Sequence, residues 1–320
     1  MNAMQAKKKF GLLGYPLGHS LSDYIHKRIF ELCEIEDECE YALYEINPDS
    51  LKDGEGTIAQ IRELSGFNVT IPYKTEIIPY LTRLDKSADV YGAVNCVKVD
   101  NRGVTPELVG YNTDGYGFLK ALQKLGSPFK QDMKVLLLGC GGTARMMAFE
   151  AAKAGADLTI AIRRDKTEEK AAAKLSGDIA KTLGGINEEP QKSPATPTTL
   201  GQTATIGQAT KVRITYAESL NLVNEYELLL NATPCGMHPN VNEIPLNSSL
   251  LKKVKFLFDA IYNPYPTKLI SEAEKHGVKC LDGMVMLVEQ AVAAERIWND
   301  IEIDDKEIAK IIQECREKLY

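Results

Sequence analysis

The chain has 320 residues, 44% hydrophobic and 26% charged, enough to bury a substantial core and to divide it between two domains. Its net charge of -6 and pI near 5.5 argue against nucleic acid as a main partner, and no apolar run approaches the roughly 18 residues of a membrane span. The opening MNAMQAKKKF lacks the apolar stretch of a signal peptide, so a soluble, cytoplasmic protein is expected. The cysteines, Cys33, Cys39, Cys96, Cys140, Cys235, Cys280 and Cys315, are odd in number and form no C-x-x-C pair, which suits reduced thiols and not a disulfide framework or zinc site. The histidines, His19, His26, His238 and His276, offer no helical metal-ligand spacing, and no metal is expected.

In chain order, Phe10 to Leu13 reads as a strand and Gly14 to Ser22, GYPLGHSLS, as a polar loop. A helix follows, with Ile25, Ile29, Leu32 and Cys33 on one face. Tyr41 to Ile46 is a second strand, Leu51 to Leu64 a poorer helix containing two glycines, and Phe67 to Ile71 a third strand running into Pro72. This alternation predicts a parallel sheet crossed by helices. Tyr73 to Leu81 has a helical pattern; Tyr91 to Val99 and Leu108 to Tyr111, around a turn at Asp100 to Gly103, read as an antiparallel hairpin added to the sheet.

Ligands of open α/β sheets sit beyond the carboxyl ends of the strands. Ser20, Ser22, Asn68, Thr70, Lys74, Asn95 and Asp114 fall there, and together they would suit a small polyhydroxylated molecule. Each alone also has a plain structural explanation, a serine as a cap or Asn95 as a turn former.

A helix from Asp114 to Leu125 leads into the most informative stretch, Lys134 to Arg164. Lys134 to Leu138 reads as a buried strand; Gly139, Gly141 and Ala144 follow at G-x-G-x-x-A spacing; a helix then leads to a strand from Leu158 to Ile162. In such a βαβ unit the first glycine permits the tight turn, the second admits a pyrophosphate to the backbone, and the alanine lets the helix pack close. The helix N-terminus offers free N–H groups to the phosphates. At the end of the second strand, Arg163 and Arg164 suit a 2′-phosphate and favour NADP, while Asp165 keeps NAD open through the ribose hydroxyl.

Beyond these lies a charged helix to about Leu183, then residues 184–210, rich in Pro, Thr, Gly and Gln and without aromatics, read as an inserted mobile loop. Strands at Lys211 to Thr215, Leu228 to Ala232, Phe256 to Ile261 and Val278 to Leu281 complete a six-stranded, doubly wound Rossmann domain. Two helices fill Gly283 to Tyr320; the first has an apolar face of Met284, Leu287, Val288, Ala291 and Val292, with Gln290 beside it and expected exposed. The expected fold is α/β with two domains. Residues 1–113, completed by helices 284–320, form an α/β substrate domain, and 114–283 form the dinucleotide domain.

Eight motifs in order resemble the shikimate dehydrogenase family, which includes the quinate/shikimate dehydrogenases. They are GYPLGHSLSDYIH at 14–26, NVTIPYK at 68–74, GAVN at 92–95, GYNTDG at 110–115, GCGGTAR at 139–145, NATPCGM at 231–237, DAIYNP at 259–264 and DGMVMLVEQA at 282–291. The resemblance implies that Lys74 and Asp114 are catalytic. It places substrate contacts at Ser20, Ser22, Thr70, Lys74, Asn95, Asp114, Tyr262 and Gln290. It places cofactor contacts at Gly139, Gly141, Gly142, Thr143, Ala144, Arg163, Arg164, Asp165 and Gly283, the last near the nicotinamide. The implied activity is reversible reduction of 3-dehydroshikimate to shikimate with NADPH, in aromatic amino-acid biosynthesis, across an interdomain cleft. The alternatives are a quinate/shikimate dehydrogenase using NAD or NADP and a non-catalytic shikimate or dinucleotide sensor. The implied partner is the small-molecule substrate, and a homodimer is compatible with the chain. Asp23 and Lys27 stand where the family usually has proline and an amide, so Asp23 brings negative charge toward the expected carboxylate site; Ala260 stands where many members carry a bulkier residue.

Overall fold

Short apolar runs, most of them buried on consecutive residues, build two separate sheets. The computed structural model describes residues 6–18, 20–48, 61–184, 203–206, 210–221 and 223–319. The first sheet contains β1 (Lys8–Gly14), β2 (Cys39–Glu45), β3 (Gly66–Val69), β4 (Arg83–Leu84), β5 (Cys96–Asp100) and β6 (Glu107–Tyr111), in the order β2-β1-β3-β5-β6-β4. β1 pairs parallel with β2 and β3, whereas β5 runs antiparallel to both β3 and β6, so the expected hairpin is present but the sheet is mixed. The hairpin begins at Cys96 and not at Tyr91, because the preceding residues turn through Gly92 at φ 58°.

The stretch Tyr73 to Leu81 departs from the expected helix. It forms turns followed by a 3-10 segment, Ile78–Tyr80, because Pro79 has no N–H to give and its ring obstructs the preceding turn. Tyr73, fully buried, anchors these turns in the core. The helix expected at Leu51 to Leu64 lies outside the described residues up to 60; at its end Ile61 and Leu64 are buried.

Helix α1 (Ser22–Leu32) buries Ile25, Ile29 and Phe30. A single turn, α2 (Lys86–Asp89), precedes the hairpin, and α3 (Asp114–Leu125) follows it. The C-terminal helices, α7 (Met284–Asn299) and α8 (Asp305–Leu319), return to this part of the chain. Trp298 of α7 occupies the space that a side chain at Gly66 would need, 2.4 Å from an ideal Cβ, and its indole N–H donates to the Val97 carbonyl at 2.9 Å. Glu314 of α8 accepts from Arg28 Nε of α1 at 2.8 Å.

The second sheet contains β7 (Lys134–Leu138), β8 (Asp157–Ile162), β9 (Thr203–Ile206), β10 (Thr210–Tyr216), β11 (Tyr226–Asn231), β12 (Val254–Asp259) and β13 (Lys279–Leu281), in the order β13-β12-β11-β7-β8-β10-β9. All pairs are parallel except β9 with β10. The crossovers carry α4 (Gly142–Lys153), α5 (Lys166–Gly184) and α6 (Lys268–Glu274), while β10 reaches β11 through a 3-10 turn, Ala217–Ser219. The sheet thus has seven strands and not six. The additional one, TATI, lies within 184–210, where its alternating β-branched residues suit an edge strand; residues 185–202 and 207–209 of that stretch lie outside the described ones.

The chain divides into two compact units, 1–117 with 287–320, and 118–286. The divisions fall inside α3 and α7 and not at the expected residues 114 and 284. Among the described residues, no helix is long and apolar enough to cross a membrane.

Candidate functional site

The carboxyl end of the first sheet gathers a set of polar side chains whose bonds interlock. Lys74, placed by the turns after β3, sets its Nζ 2.5 Å from Oδ2 of Asp114, the first residue of α3. Both side chains are largely buried, 22% and 13% exposed, so water screens their attraction less than at an open surface. The other carboxylate oxygen of Asp114 accepts from Asn95 Nδ2 at 2.9 Å. Asn95 is itself clamped: its Oδ1 accepts from the Thr113 N–H at 2.7 Å, and its Nδ2 lies 3.2 Å from Gln290 Oε1.

Gln290 is therefore buried, contrary to the expectation of exposure. Its amide N–H donates back to the Leu287 carbonyl at 2.8 Å, which fixes the orientation of the oxygen. A lysine ammonium held by a carboxylate, with amide and hydroxyl groups around it, can hold hydroxyls and exchange a proton with an oxygen placed beside it.

In the serine loop, Ser20 and Ser22 approach at 3.2 Å between hydroxyls. The Tyr41 hydroxyl donates to Asn68 Oδ1 at 2.8 Å, and Asn68 Nδ2 donates to the Asn95 carbonyl at 3.2 Å. Burial pushes the Tyr41 phenol well above its ordinary pKa, so it stays a donor. Thr70 lies beside Gly14: a Cβ at Gly14 would come within 2.4 Å of the threonine methyl. Asp23, whose charge was expected near the carboxylate site, pairs with Lys27 at 3.3 Å one turn along α1, so these two unusual residues offset each other.

Several members of this network have no signature in the sequence. Tyr41 lies on a strand, and Thr113 reads as a turn residue. Behind Tyr41, the His26 ring stacks at 4.1 Å between centroids and sets Nδ1 2.5 Å from Oε1 of Glu295, both side chains fully buried. A polar residue on an otherwise apolar helix face was the available signal for Glu295.

The second unit carries the glycine turn. Gly139 adopts φ 97°, the left-handed region that favours glycine, and Gly141 precedes α4 with extended backbone. A side chain at Gly141 or Gly142 would meet nothing within 4 Å, and no side chain caps the first turn formed by Gly142, Thr143 and Ala144. Ala144 is fully buried against the sheet. Open backbone at a helix N-terminus fits a dinucleotide pyrophosphate. Cys140, within the turn, has its thiol pushed up to about 11 by burial and is no nucleophile at neutral pH.

At the ends of β11 and β12, Asp259 accepts from Asn231 Nδ2 at 2.9 Å, the Ile261 N–H at 3.1 Å and the Thr267 hydroxyl at 2.7 Å. Even so, burial pushes its carboxyl up to about 6. This clamp supports the turn that carries Tyr262, a residue of the second unit. Gly283 has a packing reason to be glycine: a Cβ there would sit 2.2 Å from the Ala260 carbonyl oxygen.

Arg163, Arg164 and Asp165 follow β8. Asp165 Oδ1 accepts the N–H groups of Thr167 at 2.9 Å and Glu168 at 3.1 Å, capping α5, so the acid that kept NAD open serves the helix.

The family model for the shikimate dehydrogenase substrate binding domain matches residues 12–97. A shikimate dehydrogenase (NADP(+)) from Methanococcus vannielii is 34% identical over 297 residues, 92% of each chain. Among solved structures, a shikimate dehydrogenase in complex with NADP+ superposes with TM-score 0.79 at 30% identity, covering 98% of this chain and 96% of that one. A Listeria monocytogenes shikimate 5-dehydrogenase, in complex with shikimate and NAD, does so with TM-score 0.75 at 27% identity, covering 96% of each. Identity at this level across nearly the whole length of both chains places this protein in the shikimate dehydrogenase family.

Proposed function

We propose that this protein is a shikimate dehydrogenase, reversibly reducing 3-dehydroshikimate to shikimate with NADPH in the cytoplasm. The observation that carries the reading is the contact of Lys74 with Asp114, joined through Asn95 to Gln290. When bound at the Gly139 turn, the dinucleotide supplies or accepts the hydride.

In the reductive direction, negative charge develops on the ketone oxygen. The Lys74 ammonium stabilises that charge and gives it a proton, leaving a neutral amine that is reprotonated from solvent; in the oxidative direction the amine takes the hydroxyl proton. Asp114 holds the ammonium in place with one oxygen and offers the other side of its carboxylate to a neighbouring hydroxyl. Asn95 and Gln290, being locked by their own bonds, present fixed groups to the ring hydroxyls at little entropic cost. The Ser20 and Ser22 hydroxyls hold the carboxylate.

Turnover with NAD has one specific observation in its favour, the NAD in the Listeria relative. Nicotinamide absorbance with shikimate and with quinate, each with NADP+ and with NAD+, tests these readings. Turnover with shikimate and NADP+ supports the proposal. Comparable rates with quinate or NAD+ move the protein to the quinate/shikimate branch, and silence in all four overturns the enzymatic reading.

A further inference from the structure

Arg163 and Arg164 have internal acidic partners, and the two partners differ. Glu168 accepts both the backbone N–H of Arg163, at 2.8 Å, and its guanidinium Nε, at 2.7 Å; its side chain is 19% exposed, and it belongs to the structure of the β8 to α5 turn. Glu218, from the turn after β10, meets Arg164 Nε at 2.6 Å with 59% of its side chain exposed, while the guanidinium lies over the Tyr216 ring at 4.2 Å. Arg163, Arg164 and Glu218 line a cavity of about 460 Å³ whose other walls include Leu220, Ile244 and Pro245. The cavity therefore offers apolar surface for a flat base beside one wall that carries both signs of charge.

We propose that Glu218 is a specificity-determining residue that competes with a cofactor 2′-phosphate for Arg164 and offers a second ribose-binding acid beside Asp165, whose Oδ1 is committed to capping α5. The proposal rests on the reading that a nicotinamide dinucleotide binds at this turn. A phosphate brought to Arg164 must either displace Glu218, losing an ion pair, or face its carboxylate. A 2′-hydroxyl meets neither cost, because it can donate to the same carboxylate. Glu218 thus narrows the advantage of NADP over NAD that the two arginines would otherwise confer.

The test is calorimetric titration of the full chain with NADP+ and with NAD+, alongside the kcat/KM for shikimate oxidation with each. Glu218→Gln removes the charge and keeps the shape; the NADP+ to NAD+ affinity ratio should rise about two- to fivefold, the size of one screened surface charge interaction, with a smaller rise in concentrated salt. Arg164→Ala should lower the ratio. An unchanged or lower ratio in Glu218→Gln, with Arg164→Ala still lowering it, overturns the role of Glu218 and leaves the cofactor reading standing. An unchanged ratio in Arg164→Ala overturns the placement of the phosphate. Binding of neither cofactor by the unaltered chain overturns the dinucleotide reading together with the proposal.

Discussion

The Lys74–Asp114 pair and the Arg164–Glu218 pair have nearly the same separation, 2.5 and 2.6 Å, but opposite surroundings. The first is largely removed from water and held by further bonds through Asn95; the second is more than half exposed on both sides. Short distance alone therefore says little about the energy of a charged contact. Burial decides whether the charges feel each other through protein or through solvent, and the number of supporting bonds decides whether they can exchange partners. The first arrangement suits a group that must stay aimed at one atom. The second suits a group that gives way to a ligand.

The largest test of this contrast is Lys74→Met. The kcat for shikimate oxidation should fall about 10²- to 10⁴-fold, with the KM changing far less, because the loss falls on the proton-transfer step. Retention of turnover within tenfold would remove Lys74 from the mechanism.

Next in size is Glu295→Ala. It leaves the buried His26 without its partner at Nδ1 and should cost about 3–5 kcal/mol of unfolding free energy, read from denaturant midpoints. A cost below about 1 kcal/mol would show that the pair behaves like an exposed one.

Asp259 tests the same principle through pH. Its carboxyl is raised from 3.8 to about 6, chiefly by burial, so the folded state binds the proton more tightly than the unfolded chain. The stabilising contribution is complete below about pH 3.8 and is lost as pH rises through about 6. Asp259→Asn should erase this dependence, so the stability of wild type relative to the variant should fall by about 2–3 kcal/mol between pH 4 and pH 7. Parallel thermal-denaturation curves for the two proteins across that range would refute the assignment.

The smallest effect is expected at Arg83, whose pair with Glu107 is exposed on both sides. Arg83→Ala should change stability by less than about 0.5 kcal/mol. A larger loss would mean that exposure is a poor guide to the worth of ion pairs in this protein.

Much of the fold is legible in the chain because local physics governs it. The strand from Lys134, the glycine turn and α3 from Asp114 to Leu125 all follow from periodicity and small-residue spacing. Legibility fails where a local pattern meets a non-local demand. Tyr73 to Leu81 has helical spacing, but Pro79 blocks the hydrogen bonds and burial of Tyr73 holds the turns. Gln290 looks like a surface residue beside an apolar stripe until Asn95 and Thr113, nearly two hundred residues earlier, supply its partners. The strand TATI is concealed by the polar composition around it, since an edge strand needs only a neighbour to pair with and little apolar surface.

By itself the sequence determined the α/β alternation, the dinucleotide turn, and the residue types able to do carbonyl chemistry, because these depend on side-chain periodicity, backbone freedom and intrinsic reactivity. Only the tertiary structure decided which of those residues act together. It set Lys74 against Asp114, turned Asp165 into a helix cap, paired Asp23 with Lys27, and brought Glu218 to Arg164 from the turn after β10. Partnership between charges depends on distance, burial and competing bonds, and these exist only once distant segments have packed.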